Sequence, residues 1–416
     1  MIERRIAPTI LESIDDTPLI FLSGARQVGK TTLLQAFLKR GTIDRYLTMD
    51  DTTTLLAAKE NPEAFLAGLR GRVAIDEVQR VPELFLPLKK IIDEKRDQSH
   101  FLLTGSANAL LFSEMSHYFV GRMEAFSIFP FSVSEFRERK FEFFDFLFKK
   151  DGLEKLLCQA FQFKTSDDLA HFLSCGGFPE IVKRSNSPKR QRAWFENYIK
   201  TLITRDVQDL SSISKIEDLF SLLQLLAARS SGLLNFAELA RSLQMPQSSL
   251  KRYISLFQAL HIVVTLPAWS KNLSKRVVKS PKLYFIDTGL SCHLMHQSSG
   301  SLLKDRSLYG HVLENFVALE LIKRLSWSSL GFALYHYRTL SGLEVDFVVE
   351  SIEGKILGIE VKVKDSISSK DYKALKEFAM QSGDSFHLGI VFYSGKEILQ
   401  LGDRIVALPL SFLFGH

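Results

Sequence analysis

Apolar positions change their period several times along the chain, and each change marks a boundary. Over residues 1–130, short apolar runs (PLIFLSG, RVAIDE and HFLLTGS) alternate with stretches in which apolar residues recur every three to four positions. The runs predict buried strands and the stretches between them helices, which is the pattern of a mainly parallel sheet covered on both faces. Residues 135–230 are helical in period and dense in Phe and Leu, punctuated by GGFP at 176–179 and SNSPKR at 185–190. Further on, Phe236, Leu239, Ala240 and Leu243 share one helical face. A turn at Met245-Pro246-Gln247 precedes a second helix with Leu250, Ile254, Phe257 and Leu260. The strand HIVVTLPAW, the basic segment KNLSKRVVKSPK and the strand LYFID follow, and two helices leading into a hairpin is the order of a winged helix-turn-helix. From Leu308 a helix, GHVLENFVALELIKRL, leads into the strands YHYRT, EVDFVVE and ILGIEVKVK, then a helix and the strand FHLGIVFYS.

Composition narrows this picture only a little. A chain of 416 residues predicts two to four domains, and a hydrophobic share of 46% with 24% charged residues predicts a folded chain. The net charge of +6 is a mild basic bias, compatible with nucleic acid. Cys158, Cys175 and Cys292 are widely scattered with no CxxC pair, which argues against a disulfide framework or zinc ribbon and suits a reducing compartment. The opening MIERRIAPTILESIDD carries charges where a signal peptide would be apolar. The longest apolar run, IVALPLSFLF, is half the roughly 20 residues needed to span a bilayer. The expectation is a cytoplasmic protein with no membrane partner.

Chemistry enters at residues 24–31. Gly24-Ala25-Arg26-Gln27-Val28-Gly29-Lys30-Thr31 fits GxxxxGK[ST], with a strand before it and a helix after it, and these residues with Thr32 are expected to bind the nucleotide. The glycines let backbone N–H groups turn inward onto phosphates, and the helix N-terminus favours an anion. Lys30 would reach the β and γ phosphates, and Thr31 would join a Mg²⁺ shell. Downstream, Val73-Ala74-Ile75 ends in Asp76 and Glu77. Asp76 can orient the metal and Glu77 can polarise the attacking water, which turns a phosphate-binding loop into an ATP-hydrolysing site. The third strand ends in Thr104, Ser106 and Asn108, any of which could sense the γ-phosphate, although polar residues at strand ends are common.

A second constellation lies near the C-terminus. In ILGIEVKVK, Ile359, Val361 and Val363 alternate with Glu360, Lys362 and Lys364, so Glu360 and Lys362 share one face of a strand. EVDFVV puts Glu344 and Asp346 on one face of another strand. Carboxylates meeting from adjacent strands can bind a divalent cation, and a neighbouring lysine can hold the attacking water. In the helix-turn-helix region, Ser248, Ser249, Lys251, Arg252 and Ser255 lie off the apolar stripe of the second helix. The hairpin would carry Lys271, Lys275, Arg276, Lys279 and Lys282. Such residues can contact DNA phosphates and bases, while a packing module with a solvated, Lys-rich edge explains them equally well.

The phosphate loop, the acid pair and the polar third strand, in this order, resemble AAA-type P-loop ATPases. More closely, the chain resembles a bacterial and archaeal family of ATP-binding proteins whose AAA domain precedes a C-terminal domain of unknown function. The resemblance runs through LSGARQVGKTTL, AIDEVQRVPELF, FLLTGS, GRMEAFSIFPFSVSEF, GGFPEIV, YIKTLITRDV, KLYFIDTGL, GHVLENFV and EVDFVVE…GIEVKVK. It implies ATP and Mg²⁺ as cofactors, with slow hydrolysis, and a homo-oligomer is common among AAA relatives. Arg122 and Arg205 lie in matching stretches and are both candidates for an arginine finger, although a surface arginine paired with a nearby acid accounts for each as well. The Asp346…Glu360-x-Lys362 pattern, with Glu314 on the preceding helix, resembles the PD-(D/E)XK nuclease superfamily, whose members include inactive scaffolds. Here Val345 replaces the proline often found before the Asp.

The expected fold is therefore α/β in four parts. They are an AAA-type core over 1–134, a helical lid or connector over 135–230, a winged helix over 231–295 and a nuclease-like domain over 305–416. Two functions stay open. One is an ATPase coupled to a nuclease-like domain that acts on DNA, with metal-dependent cleavage. The other is a nucleotide switch whose C-terminal fold binds DNA or protein without cutting.

Overall fold

A computed structural model of the chain describes residues 2–94, 99–105, 115–138, 143–148, 166–207 and 216–414. The chain forms two compact units. One comprises Met1–Phe131 with Ser255–Ile262, and the other Ser132–Ile254 with Val263–His416.

The first unit is built on β1 (Leu19–Ser23), α1 (Lys30–Lys39), β2 (Arg45–Thr48), β3 (Gly71–Asp76), β4 (Ser99–Thr104) and β5 (Met123–Ser127). The strands are all parallel, in the order β2-β3-β4-β1-β5. The expected strands β1, β3 and β4 are the three central ones. Their runs of Leu, Ile, Val and Phe are covered on both faces, as a buried parallel sheet requires. The edge strands β2 and β5 are half-exposed, so neither carries an apolar run that sequence periodicity could detect. Strand order reverses at β1, which opens a crevice at the carboxyl ends of the strands, where ligands bind in such sheets.

The second unit contains α2 (Ile216–Ala228), α3 (Phe236–Leu243), α4 (Gln247–Ala259, whose last residues belong to the first unit), β6 (Val263–Leu266) and β7 (Lys282–Phe285). The strands β6 and β7 pair antiparallel, and Leu233 bridges to Lys282. The basic segment between these strands is not an open hairpin loop. Asn272 caps a short helix, Leu273–Val278, inside it. Next come α5 (Thr288–Leu294), α6 (Arg306–Ser326), β8 (Phe332–Arg338), β9 (Glu344–Ser351) and β10 (Ile356–Lys362). After α7 (Lys373–Ser382) the chain ends in β11 (Phe386–Tyr393), β12 (Leu399–Gly402) and β13 (Ile405–Pro409). Their sheet runs β12-β13-β11-β10-β9-β8, with β10 and β11 parallel across the α7 crossover.

The segments expected to be connector, winged helix and C-terminal domain share a core. Phe143, Leu147 and Leu173 pack in the same cluster as Tyr284, Phe316, Ile359 and Phe392. Two sequence motifs explain how the joints are held. Asp287 caps α5, accepting from the Leu290 N–H at 2.9 Å, and also accepts from the Gly177 N–H at 2.7 Å. A Cβ on Gly289 would collide with the carbonyl of Cys175, so FIDTGL and GGFP form a single close contact that only glycine permits.

Asn315 of GHVLENFV is fully buried. It accepts from the Phe285 N–H at 2.8 Å and donates to the Phe285 carbonyl at 2.9 Å, fixing β7 to α6. Asn315→Ala strands both backbone groups and should cost about 2–5 kcal/mol of stability. Urea unfolding of the full chain measures this, and an unchanged midpoint would mean that the joint is not built this way.

Candidate functional site

The loop at 24–31 turns on three residues with left-handed backbone, Gly24 (φ +149°), Gln27 (φ +62°) and Gly29 (φ +100°). A Cβ on Gly24 would run into the Ile128 carbonyl, which makes glycine obligatory there. Ala25 and Val28 are buried beneath the loop, while Gln27 and Thr32 are exposed and Arg26 is half-buried. Lys30 is buried, and its Nζ donates to the carbonyls of Gly24 (2.8 Å) and Ala25 (3.0 Å). The ammonium thus lies over the loop that would hold phosphates. Burial lowers its pKa to about 8, with the charges of Glu77 and Asp76 opposing the fall.

Asp76, at the end of β3, is the hub. Its Oδ2 accepts from the Thr31 hydroxyl at 2.7 Å and from Tyr46 at 2.8 Å, and its Oδ1 accepts from the Thr104 hydroxyl. Thr104 can reach because β4 lies between β1 and β3. It also accepts from the Glu77 N–H at 3.2 Å, so the polar end of β4 positions both acids. Glu77 sits in left-handed backbone (φ +58°), and its carboxylate accepts from Gln79 Nε2. Burial and the hydrogen bond to Asp76 raise the pKa of Tyr46, which keeps this phenol a neutral donor.

A hydroxyl and a carboxylate in contact next to a phosphate loop suit Mg²⁺, which keeps several waters and also takes nucleotide phosphate oxygens. Thr31 would hold that ion directly and Asp76 through water, and Mg·ATP, when bound, would supply the phosphoryl group.

Arg122 pairs with Asp93 and donates to the Val120 carbonyl at 3.0 Å. Ser106, Asn108 and the side chain of Arg205 lie outside the described residues. Sequence reasoning did not single out Tyr46, which lies within the edge strand β2, or Arg4. The buried Arg4 guanidinium donates to the carbonyls of Phe129 (2.9 Å) and Val28 and stacks 4.1 Å from the Phe131 ring. It buttresses the phosphate loop from behind, and no motif announces it.

In the second unit, Glu314, Glu344, Asp346, Glu360 and Lys362 gather at one end of the sheet. The Asp346 carboxylate accepts from the Val361 N–H at 2.8 Å, and Lys362 pairs with Glu360 at 2.6 Å. Glu360 is buried rather than on an open strand face, because helices cover both faces of β10. Burial, reinforced by the charge of Asp346, pushes the pKa values of Glu360 and Glu314 upward, and the cations Lys362 and Lys282 oppose the shift. Lys282 is corrected from the sequence expectation. Instead of lining a solvent-facing hairpin it is buried, pairing with Glu314 at 2.8 Å and Glu344 at 2.6 Å. Arg276 is likewise engaged, paired with Glu350 and lying over the Tyr335 ring at 4.8 Å. Among the described residues no three His, Cys, Asp or Glu side chains are arranged to hold a metal ion. No described helix is long and apolar enough to cross a membrane.

The strand order, the glycine loop after β1, the acid pair after β3 and the threonine ending β4 define a P-loop nucleotide-binding protein of the AAA type. Residues 16–137 match an AAA domain, 166–301 a domain of unknown function (DUF8612) and 309–413 a further domain of unknown function (DUF4143). The chain belongs to the AAA-domain family that includes the uncharacterized protein Rv2008c of Mycobacterium tuberculosis. The two are 31% identical over 98% of this chain and 84% of that protein. The uncharacterized protein MJ1544 of Methanocaldococcus jannaschii is 23% identical over 92% of this chain and 84% of its own length. The match to a RuvB structure from Thermotoga maritima covers 63% of this chain and 87% of that one at 18% identity, with a TM-score of 0.30.

Proposed function

We propose that this protein hydrolyses ATP with Mg²⁺ and uses the cycle to control a DNA-facing C-terminal half. The observation that carries the first part is the Asp76 carboxylate, in contact with the Thr31 hydroxyl of the phosphate loop and followed directly by Glu77. In this reading Lys30 and the loop N–H groups bind the phosphates, Thr31 and Asp76 hold the metal, and Glu77 takes the proton of the attacking water. Of the candidates Thr104, Ser106 and Asn108 for sensing the γ-phosphate, Thr104 has supporting contacts, with the Asp76 carboxylate and the Glu77 N–H. An arginine finger, from Arg122 or Arg205, and a homo-oligomer that supplies it in trans remain part of the proposal. For Arg122 the finger role requires release from Asp93.

DNA contact is assigned to α4, read as the second helix of a winged helix-turn-helix. Ser248, Lys251 and Arg252 are exposed on one side of it, and the buried Leu250, Ile254 and Phe257 hold the other. Replacing Lys251 and Arg252 together by Ala should weaken duplex binding at low salt by about 10-fold and reduce the salt slope by about 2. Unchanged affinity and slope would assign the helix to packing alone. Metal-dependent cleavage by Asp346, Glu360 and Lys362, with Glu314, is the less favoured reading of the C-terminal domain. A scaffold that does not cut is favoured by what occupies the acid cluster.

A further inference from the structure

We propose that Lys282 is the resident cation of the C-terminal acid cluster, and that it takes the place of a divalent metal there. The cluster collects Glu314 from α6, Glu344 and Asp346 from β9, and Glu360 from β10. A nuclease-like fold would fill such a group with a metal ion. Here a lysine from β7 enters it. Lys282 and Tyr284 lie on the same face of that strand, and both donate to one oxygen of Glu314, at 2.8 and 3.0 Å. The same ammonium pairs with Glu344 at 2.6 Å. Its side chain is 3% exposed, so neither water nor a DNA phosphate competes for it.

The remaining acid groups are also engaged. Glu344 has Arg338 at 3.4 Å on its other oxygen, Glu360 has Lys362 at 2.6 Å, and Asp346 accepts from the Val361 N–H at 2.8 Å. Four carboxylates therefore face three cations, all held in hydrogen-bond or ion-pair geometry. A divalent ion entering this group would meet the Lys282 ammonium at close range in a poorly solvated site, where like charges repel strongly. It would also strip Glu314 and Glu344 of their partner and leave a buried ammonium uncompensated. The donor set does not fit a metal while Lys282 is in place, and the absence of any metal-holding group among the described residues agrees with this.

Lys282 also explains why an apparent nuclease pattern is retained without a metal. Glu314 and Asn315 are adjacent on α6, and both grip β7: Asn315 through the Phe285 backbone, Glu314 through Lys282 and Tyr284. The acid cluster is thus the fastening between the hairpin that follows the helix-turn-helix and the C-terminal sheet.

The test uses the full chain and Mn²⁺ alone, without nucleotide, with uptake counted by electron paramagnetic resonance. It is independent of ATP hydrolysis, so its failure leaves the nucleotide reading untouched. Wild type and Asp346→Asn should take up the same amount of Mn²⁺. Lys282→Met, which keeps the apolar stem and removes the charge, should gain one equivalent that Lys282→Met/Asp346→Asn loses. A wild-type equivalent that Asp346→Asn removes would overturn the proposal, as would a folded Lys282→Met protein with unchanged uptake. Should Lys282→Met not fold, the comparison of wild type with Asp346→Asn still decides.

Discussion

Glu77→Gln should bind Mg·ATP about as tightly as wild type and turn it over about 10²–10⁴-fold more slowly. The amide keeps the size of the side chain and can still accept from Gln79, so the local hydrogen bonding survives. It cannot take a proton from water. The Glu77 N–H remains tied to Thr104, and Asp76 keeps its bonds to Thr31, Tyr46 and Thr104. Binding and metal positioning are therefore spared, and only the proton-transfer step is removed. Titration calorimetry with a slowly hydrolysed ATP analogue, alongside phosphate release, separates the two. Normal turnover in this variant would move the general base away from Glu77.

Lys30→Ala should weaken ATP binding by about 10²-fold or more, since a charged donor to the β and γ phosphates is worth about 1.5–3 kcal/mol per bond. The variant also loses the bonds that hold the Gly24 and Ala25 carbonyls, so the loop itself becomes less ordered. A pH dependence follows from the burial of Lys30. In the free protein its pKa is lowered to about 8, whereas bound phosphate favours the ammonium. Above that pH, binding must take up a proton. Wild-type affinity should therefore be flat below about 8 and fall as pH rises further, by at most about 10-fold per unit. The residual affinity of Lys30→Ala should lack this limb. A wild-type affinity that rises with pH over the same range would contradict the assigned role of Lys30.

The nucleotide site was legible because its residues are local. Gly24 to Thr31 form one turn, and Asp76 and Glu77 end a strand whose apolar run is unmistakable. What could not be read was the company these residues keep across the sheet. Tyr46 reaches Asp76 from an edge strand with no apolar run. Arg4 reaches Val28 from a segment with no motif at all. In the second unit, alternation marks β9 and β10 and an apolar run marks β11, whereas β13 lies inside IVALPLSFLF, a run that also covers the 3-10 turn after it and so shows no strand boundary of its own. In the sequence Lys282 reads as solvent-facing, because a lysine beside other basic residues usually is. Its place is set by Glu314 and Glu344, 32 and 62 residues further on, and local pattern carries no trace of such pairing.

The claim that residues 24–77 form a working ATPase is tested most directly by phosphate release from Mg·ATP, compared between wild type and Lys30→Ala at saturating nucleotide. Saturable release by wild type that EDTA abolishes, with background release by the variant, is the expected result. Equal release by both proteins, or none by wild type, would contradict it.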